Sequence, residues 1–148
     1  MNDRGHRERR GKGEGIALRA LTVMQYDEKA LTEQVIGLAI KVHRGLGPGL
    51  LESVYEECLC HELAAANIQF RRQHAIPVVY NSIQMECGFR ADLIVSDRLL
   101  VEIKSVERFA PIHEAQLLTY LRLSKLRIGL LLNFESVRLV DGIRRMVL

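Results

Sequence analysis

Residues 88–105, GFRADLIVSDRLLVEIKS, predict two short β-strands joined by a tight polar turn at residues 96–98. Both halves are rich in leucine, isoleucine and valine, as β-structure prefers. Because side chains alternate between the two faces of a strand, each strand should present two distinct faces. We expect Arg90, Asp92 and Ile94 to lie opposite Phe89, Ala91, Leu93 and Val95, and Leu100, Glu102 and Lys104 to lie opposite Leu99, Val101 and Ile103.

Asp92, Glu102 and Lys104 are predicted to converge on one patch of this hairpin. With the turn centred near Asp97, Asp92 pairs close to Glu102, and cross-strand neighbours have Cβ atoms about 4.5–5.5 Å apart. Carboxylates side by side repel each other unless a cation lies between them. Oxygen ligands suit Mg²⁺ or Mn²⁺, and Mg²⁺ typically takes one or two protein carboxylates and leaves its other positions to water and substrate phosphate.

The patch is therefore a candidate site for phosphodiester hydrolysis. A metal-activated water, neutralised charge and the Lys104 ammonium beside a water or phosphate oxygen are the parts that this reaction needs. The alternative is a hairpin with a solvated charged face and a Glu102–Lys104 pair, which spacing alone favours because short motifs often match by chance. Ile94 and Leu100 count against it, since they predict partial burial, where unpaired carboxylates are costly.

The composition is that of one globular domain. The chain has 148 residues, of which 48% are hydrophobic and 26% are charged. No run approaches the roughly 18 apolar residues of a membrane span, and residues 1–15 lack the apolar core of a secretory signal, so we predict a cytoplasmic protein that does not contact a membrane. The cysteines, Cys58, Cys60 and Cys87, have no paired spacing and are expected to be reduced thiols rather than zinc ligands.

The net charge of +3 comes from residues 1–19, which contain six Lys or Arg and three Asp or Glu. We predict that residues 1–24 form a disordered basic tail and that residues 25–148 form a single domain. The tail is either an unstructured extension, which we favour, or an arm that touches nucleic acid. Because the remaining charges balance, nucleic acid must meet local patches. The candidates are Arg71, Arg72, Arg108, Arg122, Arg144 and Arg145.

Three helices are predicted from apolar residues at helical spacing. The first spans about residues 28–44 and ends at a glycine-rich cluster, residues 45–49. The second spans about residues 50–66 with an apolar stripe, and the third opens at Pro111, which fits a first turn, and ends near Lys125. The stripe of the second helix comprises Leu51, Val54, Cys58 and Leu59, and the third carries a polar stripe of His113, Gln116 and Tyr120.

The remaining strands are predicted at residues 68–70, 76–80 and 83–85, with a turn at Asn81-Ser82 and an edge or interruption at Pro77. Residues 127–132 form a continuous apolar run, as in a buried strand. Residues 137–140 alternate, and Asp141-Gly142 is a hairpin signal before a strand at residues 143–147. This order predicts an α+β or α/β fold around one sheet.

Two sequence motifs on these predicted elements resemble the signatures of a known superfamily. Ala91-Asp92 followed by Glu102-Ile-Lys104 resembles the bipartite signature of the PD-(D/E)XK nucleases, with Ala91 in place of the proline that names it. The helical motif Gln116-Leu-Leu-Thr-Tyr120 resembles the Q-x-x-x-Y helix of the RecB-like members of that superfamily.

A third motif, Gly49-Leu-Leu-Glu52-Ser-Val-Tyr55, resembles the one that names the GxxExxY protein family, which is assigned to the same superfamily. From the residues alone, Glu52 has two interpretations. A carboxylate in the first turn is stabilised by the helix dipole, or it is a third acidic group at the metal site. The whole resemblance runs from about Leu31 to Val147.

The resemblance implies a restriction-endonuclease-like core, a central mixed β-sheet flanked by helices in the order αβββαβ. It implies that Asp92 and Glu102 are metal ligands, that Glu52 is a further carboxylate at the metal, and that Lys104 is the catalytic lysine. The implied cofactor is Mg²⁺ or Mn²⁺. The residues implied to steady the site or the phosphate backbone are Gln116, Tyr120 and Tyr55.

We therefore predict a metal-dependent nuclease that hydrolyses phosphodiester bonds in DNA. The alternative is a non-catalytic module that holds nucleic acid or a protein on the same scaffold, and a further one is a structural member of a complex. The near-neutral domain mildly favours these alternatives, because long nucleic acids usually meet a basic face. A homodimer or a partner protein would supply such a face, the first by joining Arg71, Arg72, Arg144 and Arg145 of two copies.

Overall fold

The computed structural model describes the backbone of residues 8–148, and side-chain exposure for residues 15–19 and 27–148 other than Cys87. Three helices and five strands occur in these residues. In chain order they are α1 (Glu8–Leu46), α2 (Glu52–Ala65), β1 (Phe70–Tyr80), β2 (Ile83–Val95), β3 (Leu99–Lys104), α3 (Pro111–Ser124), β4 (Ile128–Asn133) and β5 (Ile143–Val147), with a 3-10 helix at Leu139–Gly142 before β5.

The strands form one mixed sheet in the order β1-β2-β3-β4-β5. β3 and β4 are parallel, and every other neighbouring pair is antiparallel. A parallel pair needs a crossover connection, which α3 provides between β3 and β4. The predicted α+β class, with helices flanking a mixed sheet in the order αβββαβ, is confirmed.

Two hydrophobic layers hold the helices on opposite faces of the sheet. On one face α1 and α2 cover a core that includes Leu93, Leu99, Val101 and Ile103. On the other face Leu117 and Leu121 of α3 pack against Ile94, Leu100 and Leu131. Every residue of β4 is buried, as its apolar run predicts. Each such aliphatic side chain contributes about 1.5–3 kcal/mol on burial.

The β2–β3 hairpin forms as predicted. The backbone N–H of Arg98 donates to the Val95 carbonyl at 3.0 Å, and Val95 pairs with Leu99. Ser96 and Asp97 have φ values of 51° and 54°, in the left-handed region that tight hairpin turns use. Polar turn residues tolerate this region better than the apolar residues of the flanking strands.

The predicted faces are correct for β3 but wrong for part of β2. Leu93 lies against α1 and α2, as expected, whereas Ala91 and Phe89 lie on the α3 side with Ile94. The alternation is interrupted at Asp92. Opposite Asp92 stands Gln73 of β1, whose φ is 50°, between the regular pairs Arg72↔Leu93 and His74↔Ala91. A residue in the left-handed region breaks the two-residue period of a strand.

The strands β1 and β2 are longer than predicted. Residues 68–70 and 76–80, predicted as separate strands, belong largely to the single edge strand β1. The predicted interruption at Pro77 is confirmed, since the register with β2 shifts between Ile76 and Val78. The turn at Asn81-Ser82 is also confirmed, with φ values of 49° and 62°.

The strand predicted at residues 137–140 is wrong. This segment leads into the 3-10 helix Leu139–Gly142, so Asp141-Gly142 is not a two-residue hairpin turn. Leu139 is buried in the core on the α1 side, which pulls the segment inward. A Cβ atom on Gly142 would lie 2.7 Å from the Asn133 carbonyl oxygen, so only glycine fits this close approach.

The amino-terminal end differs from the expected disordered tail. α1 begins at Glu8, so residues 8–24 are helical, while residues 1–7 lie outside the described residues. No proline or turn cluster interrupts the chain between Glu8 and the glycine-rich segment. Arg, Lys, Glu, Ala and Leu are good helix formers and offset the three glycines, each of which costs about 1 kcal/mol relative to alanine. The division into a tail and one domain stays a prediction.

The buried face of α2 also differs from the predicted stripe. Leu51 and Val54 are exposed, whereas Tyr55, Leu59 and Leu63, spaced by four residues, are fully buried. Tyr55 stacks on Phe134 with ring centroids 4.4 Å apart. A large aromatic ring buries more apolar area than the valine beside it and so decides which face turns inward.

Two of the three cysteines are described as free thiols, as predicted. Cys58 is half-buried and Cys60 is buried. Burial raises the pKa of Cys60 to about 11, with the charge of Arg72 opposing this shift. The prediction for Cys87 lies outside the described side chains. None of the described helices is long and apolar enough to cross a membrane.

Candidate active site

Asp92 and Glu102 lie opposite each other on β2 and β3, and each carboxylate bonds to the other strand. The backbone N–H of Asp92 donates to Oε1 of Glu102 at 3.2 Å. The backbone N–H of Ile103 donates to Oδ2 of Asp92 at 2.7 Å. The hairpin register, Leu93↔Val101 and Ile94↔Leu100, places the two residues there, as predicted from the position of the turn.

Burial shifts the protonation equilibria of both carboxyl groups. Glu102 is only 6% exposed. Its burial, with the charge of Asp92, raises the pKa of Glu102 to about 8. The pKa of Asp92 is raised too, first by burial and then by the charge of Glu56, against hydrogen bonds from Ile103 and Gln73. Because two carboxyl groups lie side by side with little access to water, an added cation would stabilise their charged forms.

Lys104 supplies the positive charge of this patch. It lies two residues after Glu102 on the same face of β3 and is half-buried. Its charge lowers the pKa of both Asp92 and Glu102. Its backbone is held by the parallel pairing with Asn133 and by the Phe134 N–H, which donates to the Lys104 carbonyl at 2.9 Å. The ammonium group is therefore attached to a rigid strand beside the carboxylates.

Glu52 begins α2 on the other side of a small cavity. Its Oε1 accepts a hydrogen bond from the Ser105 N–H at 3.0 Å, which ties the start of α2 to the end of β3. The cavity has a volume of about 220 Å³. It is lined by Glu52, Ser53, Glu56, Gln73, Asp92 and Ile103.

The residues present fit a cation held by two protein carboxylates. Within residues 8–148, as far as their side chains are described, no group of three or more His, Cys, Asp or Glu side chains is arranged to hold a metal ion. The structure thus brings Asp92 and Glu102 together and does not join Glu52 to them as a third ligand. Mg²⁺ typically takes one or two protein carboxylates and completes its shell with water and phosphate.

Tyr55 supports the site from beneath. Its side chain is fully buried, its hydroxyl donates to the Gly47 carbonyl at 2.6 Å, and it accepts from the Leu50 N–H at 3.1 Å. Gly47 and Gly49 have φ values of 72° and 98°, so the turn between α1 and α2 needs glycine at both positions. Tyr55 therefore holds the turn from which α2 and Glu52 start.

We expect Tyr55→Phe to lower the free energy of unfolding by about 1 kcal/mol, because the Gly47 carbonyl and the Leu50 N–H lose their shared partner, the buried Tyr55 hydroxyl. The stacking on Phe134 is preserved. Urea denaturation should show a lower midpoint with an unchanged slope. Tyr80→Phe, at an exposed hairpin position, is the control and should leave the midpoint unchanged. Equal midpoints for the two variants would refute the role of the Tyr55 hydroxyl.

The polar stripe of α3 lies partly at the site. Tyr120 stacks on Phe89 of β2, and its pKa is raised by burial and by the charges of Glu102 and Asp92. Gln116, one turn earlier, is half-buried. His113 instead caps the helix, since its Nδ1 accepts from the Ala110 N–H at 3.0 Å.

Sequence analysis missed two residues beside Asp92, Glu56 and Gln73. Glu56 is only 6% exposed and accepts hydrogen bonds from Arg72 Nε at 2.9 Å and from Gln73 Nε2 at 2.6 Å. Gln73 Nε2 also lies 3.3 Å from Oδ1 of Asp92. Glu56 could have been predicted to lie near the site, because it follows Glu52 by one helical turn and so shares its face of the helix. Gln73 could not, since its contacts depend on the left-handed φ, which costs about 1–2 kcal/mol in a non-glycine residue.

Three of the arginines considered for nucleic-acid contact are engaged by other side chains of the protein. Arg71 pairs with Asp97 at 2.7 Å, and Arg72 pairs with Glu56 and with Glu57. Arg144 lies 3.7 Å from Glu114 and over the ring of Phe109. Joining Arg71, Arg72 and Arg144 of two copies would therefore assemble largely neutralised groups.

The chain was compared with known protein families, curated proteins and solved structures. No curated protein and no solved structure matches it. A family model of the PD-(D/E)XK nuclease superfamily matches residues 29–146, and this range contains every residue of the site described above. The finer resemblance to the GxxExxY family stays a prediction. Since the match covers most of the 148 residues and agrees with the mixed sheet, the chain belongs to the PD-(D/E)XK nuclease superfamily.

Proposed function

We propose that this protein is a nuclease that hydrolyses phosphodiester bonds in DNA, with Mg²⁺ or Mn²⁺ held by Asp92 and Glu102. The observation that carries the proposal is the opposition of Asp92 and Glu102 beside Lys104, with each carboxylate accepting a hydrogen bond from the backbone of the opposite strand. Nucleases of this superfamily typically use divalent metals, and binding nucleic acid is the activity that the superfamily suggests. The proposed location is the cytoplasm.

The residues have separate roles in the proposed reaction. A bound divalent metal lowers the pKa of a water molecule and neutralises phosphate charge. Asp92 and Glu102 hold the metal, and the Ile103 N–H keeps the Asp92 carboxylate oriented. Lys104 donates from its ammonium group to a water or to a phosphate oxygen that gains charge in the transition state. Glu52 assists from the opposite wall of the cavity.

Gln116 and Tyr120 are proposed to steady the phosphate backbone beside the metal. Tyr120 is held by its stacking on Phe89 and faces the electrostatic field of both carboxylates. Further contacts to DNA are proposed for the exposed side chains of Arg108, Arg122 and Arg145. By itself this small group of arginines would contact only a short stretch of DNA. A homodimer or a partner protein would extend the basic surface.

The second candidate is a non-catalytic module that binds nucleic acid or a protein on the same scaffold. The observation that favours it is the charge balance, because outside residues 1–19 the acidic and basic residues are equal in number. A module of this kind needs no metal. Metal binding at Asp92 and Glu102 therefore separates the two candidates.

The test is a calorimetric titration with Mg²⁺ and with Mn²⁺ of the wild type, Asp92→Ala and Glu102→Ala. We expect the wild type to bind and both variants to lose binding, whereas the control Asp97→Ala, an exposed carboxylate of the same hairpin, binds normally. Single- and double-stranded oligonucleotides are then incubated with the metal. A wild type that binds neither ion, even with an oligonucleotide present, would refute the nuclease and favour the module.

A further inference from the structure

We propose that Gln73 is a positioning residue that orients the Asp92 carboxylate for metal binding. The inference rests on the proposed function, because it assigns a task to a neighbour of the metal site. It concerns a side chain that lines the cavity beside Asp92 and is not one of the proposed metal ligands. Its evidence is the set of contacts around the amide group and the backbone conformation that makes these contacts.

The Gln73 amide joins two acidic groups. An amide nitrogen carries two N–H donors. Nε2 of Gln73 donates to Oε1 of Glu56 at 2.6 Å and to Oδ1 of Asp92 at 3.3 Å. The other oxygen of Glu56, Oε2, is held by Arg72 Nε at 2.9 Å. Arg72 therefore holds the Glu56 carboxylate in place, Glu56 orients the Gln73 amide, and this amide in turn orients the Asp92 carboxylate.

Asp92 is consequently held at both of its carboxylate oxygens. Oδ2 accepts from the backbone of β3, and Oδ1 accepts from Gln73. The two bonds determine the plane of the carboxylate relative to Glu102. Hydrogen-bond partners of this kind set the orientation of metal ligands in proteins, and their loss typically costs about 10- to 100-fold in metal affinity or activity.

The backbone of Gln73 is strained without changing the course of the chain. Its φ is 50°, although it lies within β1 and the pairings on its two sides keep one register. The side chain is exposed and fills no space in either hydrophobic layer. The Arg90 Nη1 donates to the Gln73 carbonyl at 3.0 Å and helps to hold this conformation. The left-handed φ shifts the alternation of the paired strands and brings the Gln73 amide next to Asp92, and backbone strain of this kind clusters at functional sites.

Two variants separate positioning from stability. Gln73→Met keeps the length of the side chain and removes both donors. Gln73→Gly removes the side chain and also relieves the left-handed strain, so its folded state should be as stable as the wild type or more so. Gln84→Met, at an exposed position of β2, is the matched control. The measurements are the Kd for Mn²⁺ by calorimetry, the thermal midpoint, and kcat and KM on an oligonucleotide.

We expect both Gln73 variants to bind Mn²⁺ about 10- to 100-fold more weakly than the wild type. The thermal midpoint of Gln73→Gly should be unchanged or higher, whereas that of Gln73→Met should fall, because this variant loses two hydrogen bonds and keeps the left-handed φ. At Mn²⁺ concentrations near the wild-type Kd, kcat should fall while KM for the oligonucleotide stays the same. Raising the Mn²⁺ concentration should restore most of the loss, since the ligands themselves remain. Gln84→Met should match the wild type in every measurement.

Wild-type Mn²⁺ affinity in both variants would overturn the inference. A weaker affinity that accompanies a lower thermal midpoint in both variants would also overturn it, because it would indicate a structural role. If Asp92→Ala abolishes Mn²⁺ binding while the Gln73 variants bind normally, only this inference fails. If the wild type itself binds no Mn²⁺, the proposed function fails and takes this inference with it.

Discussion

Asp92→Asn and Lys104→Ala are each expected to lower the rate of metal-dependent DNA cleavage by about 10²- to 10³-fold, the usual effect of removing one group that stabilises transition-state charge. Asp92→Asn takes away a metal-binding charge but keeps an oxygen that accepts from the Ile103 N–H. Lys104→Ala takes away the ammonium group and leaves both carboxyl groups in place. Single-turnover cleavage of a labelled oligonucleotide measures both losses.

The two variants should differ in metal binding. Asp92→Asn should lose most of its affinity for Mn²⁺. Lys104→Ala should keep or increase its affinity, because the Lys104 ammonium group repels a bound cation. This repulsion should outweigh the smaller effect by which the ammonium charge lowers the pKa of both carboxyl groups. Asp97→Asn and Lys29→Ala, both exposed, are the matched controls and should cleave at the wild-type rate. Retained cleavage in both site variants, with their circular dichroism spectra unchanged, would refute the proposed chemistry.

Glu102→Gln is expected to stabilise the metal-free protein and to flatten its pH dependence while abolishing cleavage. In the folded protein the pKa of Glu102 is raised from an ordinary value of 4.5 to about 8. Between these two values the folded state keeps a proton that the unfolded chain has released. The free energy of unfolding therefore falls as the pH rises through this range, and the loss is complete above the folded pKa.

Glutamine cannot ionise, so this component of the pH dependence disappears in the variant. Its carbonyl oxygen still accepts from the Asp92 N–H, and its amide no longer repels the Asp92 carboxylate. Urea denaturation without metal, from about pH 5 to about pH 9, should show the wild type losing stability and the variant losing less, by a few kcal/mol at the alkaline end. Glu86→Gln, at an exposed position of β2, should follow the wild type. Parallel curves of unfolding free energy against pH for the wild type and Glu102→Gln would show that the pKa of Glu102 is not raised in the folded protein.

Added Mn²⁺ should reverse the difference between the two proteins. A ligand that binds only the folded state stabilises it by an amount that grows with concentration above the Kd. The wild type should gain stability at about pH 8 to 9, where Glu102 is ionised, and Glu102→Gln should gain little. Equal stabilisation of both proteins would place the ion elsewhere.

Local signals in the sequence were sufficient for the central hairpin, β4 and α3. The turn at Ser96 and Asp97 needs polar residues that tolerate a positive φ, and the flanking residues are apolar β formers. Pro111 marks the start of α3, which ends within one residue of the predicted position. From this hairpin the opposition of Asp92 and Glu102 follows directly, because a turn determines the register of the strands beside it.

Signals in the sequence were insufficient where distant parts of the chain compete for the same space. The inward face of α2 was decided by the stacking of Tyr55 on Phe134, a residue of a distant segment. The interval before β5 became a 3-10 helix because Leu139 is buried and Gly142 approaches the Asn133 carbonyl. Periodicity within one element does not reveal which neighbours will cover it.

The sequence by itself determined the β2–β3 hairpin, the apolar strand β4 and the opposition of Asp92 and Glu102, because these follow from a turn and from apolar runs within short segments. The mixed sheet was implied by the resemblance to the superfamily. Only the tertiary structure decided that Glu56 and Gln73 surround Asp92 and that the alternation of β2 breaks there. These features depend on a hydrogen bond between residues 19 positions apart and on a left-handed φ held by Arg90. A strand pattern contains no information about either, since both arise only when β1 pairs with β2 against α2.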